Sequence, residues 1–283
     1  VSNPFVYPAK NSYTIGKDED TTVLGMSSVN MPLSEGQFGQ FPLYVFTNKG
    51  IWVMEKGSDA LYSTKQPLNR EVCTSPVTIT NIGQGIVFMA KDGLKIISGR
   101  TPEKISLPIE GQNKCEISTD TDFQSYTSQD HLVNLYDKIS RDDAKIFMQD
   151  ATIGFDPENR EVIVSSSAKD ESGNPRYGYS YVFNLDTQGW HKIDQCFDIM
   201  INDYPSTLGR IGSKLYDLSM EDETIVPHCL IETRPVKLTG DGYKQIYRTI
   251  LRGMMDNKTG TYGSVYIFAS VDGKTYKFIR GMR

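Results

Sequence analysis

Histidine and cysteine are common metal ligands, and cysteine is also a common nucleophile, so their spacing indicates whether such a site is present. The histidines are His131, His191 and His228. None of them forms a His-x-x-x-His or His-Glu-x-x-His pair. The cysteines are Cys73, Cys115, Cys196 and Cys229. Because no Cys-x-x-Cys pair occurs, we interpret them as reduced, small buried hydrophobes, and the pattern predicts no metal site.

The acidic and glycine-containing segments lack the spacing that catalysis or ion binding requires. Asp18-Glu19-Asp20 and Glu221-Asp222-Glu223 lack the alternating ligands and the glycine of a calcium loop, so we interpret them as solvated loops. No Gly-x-Ser-x-Gly elbow and no Gly-x-x-x-x-Gly-Lys-Ser/Thr phosphate loop occurs. The sequence therefore predicts no catalytic, cofactor-binding or metal-binding residues, and a chain that is not an enzyme.

Net charge and hydropathy argue against nucleic acid and membrane as partners. The 283 residues carry a formal net charge of −5, and no run of Lys and Arg is present to neutralise phosphates. No segment approaches the roughly 18 apolar residues of a transmembrane helix. We therefore expect no nucleic-acid sequence recognition and no membrane span. The start at Val1 lacks a signal peptide and opens as though in mid-strand, which favours a piece of a longer polypeptide.

Paired runs of strand-forming residues dominate the chain. The runs 43–47 and 51–54 flank Asn48-Lys49-Gly50, a hairpin turn, and the pattern returns over 85–99 around Asp92-Gly93. Taking Phe46 and Phe88 as equivalent gives a repeat of 42 residues (88 − 46), which is typical of one four-stranded propeller blade.

Further hairpins follow along the chain. The segments 153–164 and 179–190 predict four strands in the meander of a single blade, and a shorter pair surrounds Gly212-Ser213. A short helix is expected over 141–149, after a capping box formed by Ser140 and Asp143. The stripe from Leu132 to Ile139 predicts a second helical turn.

These patterns predict an all-β fold of β-propeller-like hairpins or blades. We expect residues 1–222 to form the propeller-like domain and residues 223–283 a C-terminal β segment. Candidate strands in the latter lie at 225–239, 243–252, 262–269 and 276–279. This segment is expected to form either a further blade or a small β-sandwich.

One stretch resembles a known family. The residues from Pro32 to Met54, PLSEGQFGQFPLYVFTNKGIWVM, are similar to the tail nozzle, muzzle or "stabilisation" propeller proteins of short-tailed phages, including the crAss-like group. In that family the pattern is followed by an Arg-x-x-Cys element and a Gly-x-x-x-Ile-x-Gly turn. Here these are Arg70-Glu-Val-Cys73 and Gly93-Leu-Lys-Ile-Ile-Ser-Gly99. Residues 151–156 and 179–190 extend the resemblance, which covers roughly residues 3–195.

The resemblance implies a structural protein of the virion. Such a chain would be a homo-oligomer, contacting other copies of itself in a ring and other phage tail proteins, and would assemble in the cytoplasm of the bacterial host. Exposed aromatic side chains are natural interface anchors, and Tyr126, Tyr177 and Tyr204 are the candidates. Packing of these tyrosines within the chain is the alternative. The alternative function is a glycan- or host-surface-binding β-propeller module, which would need a concave, aromatic-lined pocket.

Overall fold

The computed structural model describes residues 14–16, 20–30, 41–56, 62–63, 67–110, 116–117, 144–193, 195–203, 206–218, 265–271 and 275–282. The chain divides into two compact units. The first combines Val1–Gly111 with Asp143–Asp222, and the second combines Gln112–Asp142 with Glu223–Arg283. The sequence pattern predicts one domain over residues 1–222, whereas residues 112–142 belong to the second unit.

The described strands of the first unit form four antiparallel sheets that follow one another along the chain. Sheet 1 contains β1 (Val23–Ser28), β2 (Leu43–Thr47), β3 (Gly50–Lys56) and β4 (Tyr62–Ser63). Sheet 2 contains β5 (Thr80–Asn81), β6 (Ile86–Ala90), β7 (Gly93–Ile97) and β8 (Glu103–Lys104). Sheet 3 contains β10 (Ala151–Asp156), β11 (Glu161–Ser166), β12 (Ser180–Asn184) and β13 (Trp190–Ile193). Sheet 4 contains β14 (Ile199–Asp203), β15 (Ser206–Ile211) and β16 (Lys214–Asp217).

Each of these sheets is a meander, because strands that are neighbours in sequence are neighbours in the sheet. The predicted all-β, propeller-like arrangement of hairpins is confirmed. The predicted helix is also confirmed, as α1 (Ala144–Gln149). Its predicted cap, Ser140 with Asp143, and the stripe at 132–139 lie outside the described residues.

The repeat between the first two sheets is 43 residues, not 42. Thr47 pairs with Gly50 and Ala90 pairs with Gly93, so Gly50 and Gly93 occupy equivalent places (93 − 50). Both have a φ of +136°, and a β-carbon at Gly50 would lie 2.4 Å from the carbonyl oxygen of Asn69. Glycine is therefore required at this point of the hairpin. The second turn consists of Lys91-Asp92, one residue earlier than Asp92-Gly93.

In each of the two central sheets, side chains on one face pack against the preceding sheet, and side chains on the other face pack against the following sheet. In β6, Ile86, Phe88 and Ala90 join a cluster with sheet 1, whereas Val87 and Met89 join a cluster with α1 and sheet 3. Sheets 3 and 4 share a third cluster through Ile163, Val182, Phe197 and Met200. Because water is excluded from both faces, all five residues of β6 are buried, and the strand shows no polar alternation.

The second unit contains a smaller group of strands. β17 (Val265–Ala269) and β18 (Thr275–Met282) form an antiparallel hairpin, and β9 (Glu116–Ile117) pairs with β18 in parallel. The predicted strands at 262–269 and 276–279 correspond to this hairpin. The predicted strands at 225–239 and 243–252 lie outside the described residues.

Candidate functional site

The first strands of the four sheets lie side by side. Polar side chains on these strands, together with Thr207 on the second strand of sheet 4, form hydrogen bonds between the sheets, and we call this set of residues the inner seam. It comprises Asn81, Thr80, Thr152, Asn202 and Thr207. At the junction of sheets 1 and 2, the Asn81 side-chain amide donates to the carbonyl oxygen of Ser28. Nearby, the Asn30 amide donates to the carbonyl oxygen of Gly83 at 2.9 Å. Sheets 1 and 2 are thus hydrogen-bonded as well as packed.

The inner seam also satisfies the backbone edge of β10 that does not pair with β11. Thr80 Oγ1 donates to the Ile153 carbonyl at 3.3 Å, and the Phe155 amide donates to Asn202 Oδ1 at 2.7 Å. Thr207 Oγ1 donates to the Phe155 carbonyl. An unpaired strand edge would otherwise be a template for pairing with another chain. Side chains from the two neighbouring sheets therefore protect this edge.

The Arg-x-x-Cys element lies between sheets 1 and 2. Cys73 is 2% exposed, belongs to their shared apolar cluster and bridges to Ala90. Desolvation by burial raises the pKa of its thiol above the usual value, so it is the inert, buried hydrophobe predicted from the sequence.

A buried lysine links this element to the β6–β7 turn. Lys95 is 6% exposed, and its Nζ lies 2.8 Å from Glu71 Oε1 and 3.0 Å from Asp92 Oδ1. Desolvation lowers the pKa of Lys95, but the hydrogen bonds and charges of the two carboxylates outweigh it, and the net pKa is raised. Lys95 is therefore held in its charged form by two partners.

An aromatic cluster fills the space beside α1. The ring of Phe147 lies 4.9 Å from Tyr177, 5.3 Å from Tyr179 and 4.9 Å from Tyr181, measured between centroids. The Lys192 ammonium lies 4.2 Å from the ring centroid of Tyr179, within cation–π range. Because Tyr179 and Tyr181 are each 3% exposed, this cluster is core packing and not an open ring platform for a sugar.

Of the three predicted interface tyrosines, the structure describes only Tyr177. Tyr177 is half-buried and packs on this core. The Arg176 guanidinium lies 5.6 Å from the centroid of its ring. Tyr126 and Tyr204 lie outside the described residues. An interface role for these tyrosines stays a prediction.

Of the histidines and the remaining cysteines, the structure describes only His191 and Cys196. His191 is exposed on β13, and Cys196 is half-buried, donating from Sγ to the Ser166 carbonyl. His131, His228, Cys115 and Cys229 lie outside the described residues. Within the described ranges, no three His, Cys, Asp or Glu side chains are grouped as ligands for a metal ion.

The inner seam was not foreseen from the sequence. The sequence feature that marks a residue of the inner seam is a polar side chain between apolar neighbours in a strand, as at Thr152 between Ala151 and Ile153. Such a residue needs a hydrogen-bond partner when buried, but the sequence does not say which strand supplies it.

Comparison with known proteins assigns no family. No protein-family model and no curated protein matches this sequence. In the part of the chain that the structure describes, no helix is long and apolar enough to cross a membrane.

Proposed function

We propose that this chain is a structural component of a bacteriophage or prophage tail, where copies of it form part of the tail tube or nozzle as a ring. The observation that carries the proposal is the series of four consecutive sheets, joined by apolar clusters on their faces and by the hydrogen bonds of the inner seam. A series joined in both ways resists shear between its sheets.

Mechanical rigidity is what a tube component needs, because a ring closes only when each copy presents its contact surfaces at a fixed angle. The motif that resembles the phage tail propeller family supports the same role. Its pieces occupy structural positions here: the hairpin of β2 and β3, the Cys73 element between sheets 1 and 2, and the β7 segment that carries Lys95. On this proposal the chain is not an enzyme, and its partners are further copies and other tail proteins.

Labelling of particles tests the proposal directly. Antibodies raised against the purified chain, followed by electron microscopy of particles from the virus or prophage that encodes it, should mark a ring on the tail axis. A cryo-electron microscopy reconstruction would then give the number of copies. Label on peripheral fibres would contradict the tube role and favour the glycan- or host-surface-binding alternative. Particles without the chain would contradict both virion roles.

A further inference from the structure

We draw no further inference here: the strongest candidate, the outer face of sheet 4, where Ile199, Ile201 and Leu215 are 42%, 43% and 58% exposed, carries none because nothing in the part of the chain that the structure describes shows what covers it.

Discussion

The rings of Phe46 and Phe88 lie 5.1 Å apart between centroids and are tilted by 57°. Phe46 belongs to β2 of sheet 1 and Phe88 to β6 of sheet 2, and both side chains are fully buried. Tilted aromatic pairs at this distance stabilise a fold beyond the area they bury. The pair is a direct joint between two sheets.

Removing either ring should lower the free energy of unfolding. Phe88→Ala should lower the free energy of unfolding by about 3–5 kcal/mol, because it loses buried area and leaves a cavity. The double variant with Phe46→Ala should show a coupling of about 0.5–1.5 kcal/mol in a double-mutant cycle from urea titrations. Phe41→Ala is the control: Phe41 is 52% exposed and should matter little. Strictly additive losses would show that the two rings do not interact.

The hairpin glycine should resist substitution. In Gly50→Ala, an alanine must adopt a φ of +136°, and its β-carbon lies against the Asn69 carbonyl. We therefore expect the free energy of unfolding to fall by about 1–3 kcal/mol. Gly178→Ala is the matched control, because nothing lies within 4 Å of a β-carbon there. Thermal denaturation of both variants measures the difference. Equal stability of the two would mean that Gly50 is not constrained.

Acid should weaken the contact between Asp92 and Lys95. Desolvation raises the pKa of Asp92, but the hydrogen bond and charge of Lys95 outweigh it, and the net pKa lies below its ordinary value of 3.8. A carboxylate whose pKa is depressed on folding adds stability that is present above its unfolded pKa and is lost as pH falls through the folded pKa.

The pH dependence of urea unfolding checks this contribution. Asp92→Asn should give a shallower loss of stability than the wild type as the pH falls below about 4, since the asparagine does not titrate. Asp186→Asn is the comparison, because the side chains of Asp186 and Asp92 are similarly exposed, at 61% and 55%, whereas the partner cation Arg160 is 44% exposed and Lys95 only 7%. Parallel curves for wild type and Asp92→Asn would contradict the prediction.

The inner seam should be sensitive to loss of a single hydroxyl. Thr152 Oγ1 accepts the Met200 amide at 3.1 Å, and Thr152→Val keeps the shape while leaving that buried donor without its acceptor. We expect a loss of about 1–3 kcal/mol. Hydrogen exchange of the Met200 amide should accelerate relative to the wild type. Ser213→Ala, at an exposed turn, is the control. Unchanged exchange at Met200 would show that this hydrogen bond contributes little.

The hairpins and the all-β class could be predicted because short-range patterns determine them. Asn48-Lys49-Gly50 marks a turn by its own conformational preferences, and the strands on either side are rich in β-formers. The repeat length was wrong by one residue because it was counted from Phe46 to Phe88. With both faces buried, aromatic residues occur on each face, so an aromatic match does not identify equivalent positions.

The long-range contacts could not be predicted in the same way. Thr80 and Ile153 are joined by a hydrogen bond across 73 residues, and no local pattern connects them. The insertion of 112–142 into the second unit is likewise a matter of tertiary packing. The tail role and the interface tyrosines stay predictions, because they concern contacts with other molecules.

Burial of β6 on both faces has a consequence for how the chain reaches its native pairing. In a sheet with one wet face, a slip of one residue moves apolar side chains into water and is strongly penalised. In β6 the same slip would exchange one apolar layer for another, so hydrophobicity alone discriminates poorly between registers. The glycine that opens β7 supplies the missing discrimination, since its φ of +136° suits one residue in the turn. We therefore expect this glycine, and not the apolar pattern of β6, to determine the register of the β6–β7 hairpin.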